Sequence, residues 1–84
     1  MVVAADAIVE DGARVSDSVL LRGSEVGTGA RVSGSIVGPC AHIGASADVR
    51  GCVLGESAMV AEGAVERDRR IRRGEESRSA RHSP

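Results

Sequence analysis

The 84-residue chain contains no phenylalanine, tyrosine or tryptophan. Rings supply much of the buried area of an ordinary globular core, so their absence points to an interior too narrow for them. Lysine is also missing, and all 11 basic residues are arginine. No run approaches the ~20 apolar residues of a membrane span, and Met1 is not followed by the basic and then apolar segment of a secretory leader. A cytoplasmic chain that engages no membrane is the expectation. Only two cysteines, Cys40 and Cys52, and two histidines occur, at spacings that form no zinc pattern, so no metal or other cofactor is expected. Free thiols in a reducing compartment are the expected state. Disorder would also explain missing aromatics, but a mean hydropathy of −0.05 and the order described next argue against it.

Aliphatic residues recur on a fixed beat. Val3, Val9, Val15, Leu20, Val26, Val32, Val37, Ile43, Val49, Leu54 and Val60 are separated by 6, 6, 5, 6, 6, 5, 6, 6, 5 and 6 residues. Four residues after each comes a small or branched apolar residue, from Ala7 and Ala13 to Ala58 and Ala64, with Ser24 the one polar exception. An amphipathic helix would repeat at i, i+3, i+4 and i+7, and a half-buried strand at every second residue. Neither describes this chain. A straight segment followed by a corner does, and three such segments close a triangular coil of 17 residues. A repeat this short marks a β-solenoid.

Sequence positions 17 apart should then stack as ladders about 4.8 Å apart. Val3, Leu20, Val37 and Leu54 form one column, Val9, Val26, Ile43 and Val60 the next, and Val15, Val32 and Val49 the third. Between them Gly12, Gly29, Ser46 and Gly63 share one corner, and Asp6, Gly23, Cys40 and Ser57 another, residue types that suit tight turns. The fold expected is all-β, a parallel solenoid of between three and four coils over residues 1–65.

Charge divides the chain at that boundary. Residues 1–65 carry four arginines against eight acids, and residues 66–84 seven arginines against four. The next beat would place Glu66 and Arg70 inward, and burying charge is costly. The solenoid is therefore expected to stop near Val65. Beyond it, Glu66 to Arg73 could form a short helix on i, i+4 pairs ended by Gly74, followed by a flexible tail. Four acids interleave the arginines of residues 66–84 and no aromatic joins them, so no nucleic-acid partner is expected.

The segments DSVLL, GSIVG and GCVLG, with EDGARV and GPCAHIGASADV, resemble the C-terminal hexapeptide-repeat domain of bacterial sugar-phosphate nucleotidyltransferases, most closely the mannose-1-phosphate guanylyltransferases. The resemblance covers residues 3–64. It implies a left-handed parallel β-helix, although crossovers between parallel strands are ordinarily right-handed. It also implies a module that assembles or regulates an enzyme of nucleotide-sugar biosynthesis without performing the chemistry. The Gly-rich nucleotide loop, the phosphate-binding lysine and the Mg²⁺-holding acids of the catalytic domain are absent, so the chain by itself is expected not to be an enzyme. A truncated or split form of a longer protein is the expectation. The alternatives are a hexapeptide-repeat acyltransferase and a purely structural scaffold.

The acyltransferase alternative nominates His42, because those enzymes use a histidine general base facing a neighbouring subunit. His42 is the weak catalytic candidate of this sequence. No loop insertion builds an acceptor site near it, and a surface histidine beside Glu25 is the better reading. Asp17 and Glu56 are single acids at corners with no expected role. Arg14, Arg31 and Asp48 share one outward column that could hold an anion or a partner, or simply face solvent. The expected partners are a second copy of the chain, or a nucleotidyltransferase catalytic domain in trans. Either would meet the exposed first coil near Val3 to Ala7 or an adjoining flat face.

Overall fold

In the computed structural model, residues 2–77 are described, and they consist of short strands joined by turns. The first coil comprises β1 (Val2–Val3), β2 (Ile8–Val9) and β3 (Arg14–Ser16), and the second β4 (Val19–Leu20), β5 (Glu25–Val26) and β6 (Arg31–Ser33). The third coil is β7 (Ile36–Val37), β8 (His42–Ile43) and β9 (Asp48–Arg50). The fourth is β10 (Val53–Leu54), β11 (Met59–Val60) and β12 (Val65–Arg67), and a fifth begins with β13 (Arg70–Ile71) and β14 (Glu76–Ser77). Each strand pairs in parallel with the strand three along the chain. The first face is thus β1-β4-β7-β10-β13, the second β2-β5-β8-β11-β14 and the third β3-β6-β9-β12.

The register is the 17-residue step expected from the beat. Val3 lies opposite Leu20, Leu20 opposite Val37, Val37 opposite Leu54, and Leu54 opposite Ile71. Leu20, Val26, Val32, Val37, Val49 and Leu54 are fully buried, and with the alanines they form one continuous core. At the first coil Val3 and Val9 remain 43% and 42% exposed, since among the described residues their ladders have a neighbour on one side only.

The small companions follow a different rule from the i+4 spacing. Ala30, Ala41, Ala47, Ala58 and Ala64 are buried as expected, but Val19 is only half-buried and Ile36 and Val53 are exposed. Neighbouring strand residues point to opposite faces. Val19, Ile36 and Val53 immediately precede inward Leu20, Val37 and Leu54, so they point outward. Their inward places are taken by Ser18, Ser35 and Cys52, all buried. The side chain that accompanies each beat is therefore the one two residues before it.

These three residues need polar partners, and each finds them in the stack. Ser18 Oγ donates to the Ser16 carbonyl at 2.8 Å and accepts from the Ser35 amide at 3.1 Å. Ser35 Oγ donates to the Ser33 carbonyl at 2.9 Å and accepts from the Cys52 amide at 3.0 Å, and the Cys52 thiol donates to the Arg50 carbonyl at 3.3 Å. The corner beside them is Asp17, Gly34, Gly51 and Asp68, all with φ between 50° and 63°. The corner of Gly12, Gly29, Ser46 and Gly63 likewise has positive φ throughout, as do Gly23, Cys40 and Ser57. Gly38 answers a different need: a Cβ there would lie 2.5 Å from the Leu54 carbonyl oxygen of the next coil.

The expected stop at Val65 and the expected helix beyond it are both corrected. β12 continues the third face, with Glu66 opposite Val49, and β13 and β14 continue the other two. Glu66 does point inward and is only 1% exposed. It is not left as a lone charge. Arg69 Nη1 donates to its Oε1 at 2.9 Å, and the Ser77 hydroxyl donates to its Oε2. A buried carboxylate held by a guanidinium and a hydroxyl loses far less than an unpaired one, so the coil closes over it. Arg70, the other charge assigned inward, is on the outward column of Val19, Ile36 and Val53 and is exposed. Gly74, at φ +69°, turns a corner rather than ending a helix. The expected flexible tail from residue 78 onward lies outside the described residues.

Candidate functional site

The three faces differ sharply in chemistry. Outward residues of the first face are Val2, Val19, Ile36 and Val53, ending in Arg70, with Leu21 beside them. Val2, Ile36, Val53 and Leu21 are 59%, 44%, 42% and 36% exposed, which makes an uncharged apolar ladder across four coils. The second face presents Ile8, Glu25, His42, Met59 and Glu76 in register. The third presents Arg14, Arg31, Asp48 and Val65 in one column, with Ser16, Ser33, Arg50 and Arg67 in a parallel column two residues on.

His42 sits between Glu25 and Met59, as the stacking requires. Its Nδ1 is 3.5 Å from Glu25 Oε1, and both side chains are about half exposed. Two clefts lie on the third face, and neither is lined by His42. Glu56, expected to be alone, lies 3.5 Å from Arg73 Nε in a largely exposed pair. Asp17 occupies a positive-φ corner, a conformation aspartate tolerates better than most residues, so its role is in the turn. Cys40 is exposed and Cys52 buried, and both are free. Among the described residues no three or more His, Cys, Asp or Glu side chains converge as metal ligands. No helix among them is long and apolar enough to cross a membrane.

The third face is the most structured polar surface. Arg14 and Arg31 are direct partners in the ladder, and Arg31 is followed by Asp48. Asp48 Oδ1 is engaged by Arg50 Nε at 3.3 Å within the same strand. Arg14, Ser16, Arg31, Ser33, Asp48 and Arg50 border a cleft of about 250 Å³. The column of Arg14, Arg31 and Asp48 was legible from the 17-residue step. The serines and Arg50 were not singled out, although the two-residue period of a strand places them on the same face.

A family model described as the GMPPB C-terminal domain matches residues 1–72. The chain belongs to that family. It is a mannose-1-phosphate guanylyltransferase-like β-helix module, and its parallel coils are those of a left-handed β-helix. What is matched is a C-terminal domain of a nucleotidyltransferase family, not the domain that carries its chemistry. No curated protein matches the chain.

Proposed function

We propose that this β-helix is a non-catalytic assembly module of a mannose-1-phosphate guanylyltransferase-like enzyme, and that it self-associates through its first face. The observation that supports this most is the contrast between the faces. The first face is apolar over four coils, while the other two carry charged residues in their outward columns. An uncharged ladder of Val2, Val19, Ile36 and Val53 calls for no complementary charge in its partner. A two-fold axis lays the same column against itself, so a second copy of the chain is the occupant. Four apolar rungs at about 4.8 Å spacing make a stripe only about 14 Å long. That is at the small end of specific interfaces, and a dissociation constant on the order of micromolar suits it.

Catalysis of nucleotidyl transfer is not assigned to this chain, because it has no lysine and no glycine-rich nucleotide loop following a strand. Supplied with GTP, mannose 1-phosphate and Mg²⁺, the purified chain is expected to release no pyrophosphate above background. Turnover that persists through a second purification step would contradict the non-catalytic reading.

A further inference from the structure

The third face carries a charge arrangement that its own residues do not balance. Arg14 and Arg31 are direct ladder partners, so their backbones are about 4.8 Å apart. Like charges directly opposite each other in a sheet are destabilising. Among the described residues neither arginine has an ion-pair partner, and the nearest acid in the column, Asp48, is engaged by Arg50. Two residues along the same strands, Ser16 and Ser33 are likewise direct partners and face the same side. Two guanidinium groups and two hydroxyls thus border one cleft of about 250 Å³, closed at its third coil by the Asp48–Arg50 pair.

We propose that this cleft binds the phosphate or diphosphate group of a small soluble molecule. The donor set suits it: guanidinium groups give paired, charge-assisted hydrogen bonds to phosphate oxygens, and the serine hydroxyls can donate to the remaining ones. Two neighbouring arginines offer parallel forks to an anion with several oxygens, and the anion removes their mutual repulsion. The size of the site favours a small molecule over a polyanion. The free positive charge of Arg14 and Arg31 spans two coils and is followed by Asp48, which is paired with Arg50, so Arg67 on the fourth coil is the next cation on this face, whereas a nucleic acid strand needs an uninterrupted track of cations. The site is on a different face from the apolar ladder, so the two can be occupied together.

Titration calorimetry at fixed ionic strength tests the proposal, with inorganic phosphate, pyrophosphate, GDP and a single-stranded oligonucleotide as separate probes. Pyrophosphate and GDP are expected to bind saturably, with a dissociation constant of about 1 mM or tighter. Arg31→Gln is expected to weaken pyrophosphate binding at least about tenfold, the share of one charge-assisted hydrogen bond. Arg31→Lys should recover only part of that loss, because an ammonium lacks the fork. Arg22→Gln, at an exposed corner away from this face, should bind like the parent chain. Absence of saturable pyrophosphate binding, equal loss in Arg22→Gln, or binding of the oligonucleotide alone would overturn the proposal. All the substituted side chains are exposed, and circular dichroism verifies that each variant remains folded.

Discussion

Val32 shows what each residue of this fold must do. It lies between Val15 and Val49 on one ladder and is 1% exposed, while its neighbour Ser33 points outward and is only half-buried. Val32→Asp places a carboxylate where the flanking rungs are aliphatic, and is expected to cost about 3 kcal/mol or more. For a chain of this size that is a fall of more than about 12 °C in melting temperature, or failure to fold. Ser33→Asp should shift the melt by no more than about 2–4 °C, as surface substitutions usually do. Equal tolerance of both in thermal melts would mean that the register is wrong. The aliphatic beats were legible because burial repeats them every coil. Their companions were partly misread, because six-residue spacing makes i+4 coincide with the position two before the next beat. Only the five-residue spacings separate the two rules, and there Ser18, Ser35 and Cys52 point inward instead of Val19, Ile36 and Val53. A buried serine carries no apolar signature, and its reason is the hydrogen-bonded ladder that only the stacked coils create.

At the scale of elements, β12 to β14 carry the lesson of the charged segment. Glu66 and Arg70 read as the end of the solenoid because a lone charge does not enter a core. Nothing in the 17-residue register shows that Arg69 reaches back to Glu66, or that Ser77 arrives opposite Val60 to cover it. The ion pair is a local device for continuing a coil whose ladder residue is charged. Its two halves are not equivalent. Arg69→Ala withdraws the guanidinium from a carboxylate that remains buried, and is expected to destabilise the fold by about 1–3 kcal/mol, reduced because Arg69 is itself half exposed. Glu66→Val extends the valine ladder of Val15, Val32 and Val49 and leaves the half-exposed Arg69 to water, so although the buried Ser77 hydroxyl loses this acceptor it should cost less than Arg69→Ala, which leaves the carboxylate itself buried. Urea unfolding of the two variants checks the asymmetry. A Glu66→Val protein less stable than Arg69→Ala would show that the carboxylate holds the last coil by more than filling its place. The arginine column of the third face was legible in the same sequence step. Its serine column became visible only when Arg14 to Ser16 proved to be a three-residue strand with both ends outward.

For the whole molecule, three faces built from one repeat have been given three different surfaces. Apart from Glu66, the inward positions are nearly uniform from coil to coil, since the narrow prism favours small and branched side chains. The outward positions are free of that demand, and there the chain diverges into an apolar, a mixed and an arginine-bearing face. A membership in the GMPPB C-terminal domain family fits a body whose regular interior serves to hold such faces in fixed relation. The central claim is that the apolar face joins two copies. Sedimentation velocity across a concentration series from about 1 to 100 μM, the range in which a contact of this size is half-formed, tests it most directly when run on the parent chain and on Ile36→Glu. Ile36 is exposed in the middle of the ladder, so its replacement leaves the core intact and sets like charges against each other across the two-fold contact. The account predicts a monomer–dimer shift for the parent chain and a folded monomer throughout for Ile36→Glu. A parent chain that stays a folded monomer at 100 μM, or an Ile36→Glu chain that dimerises equally well, would contradict it.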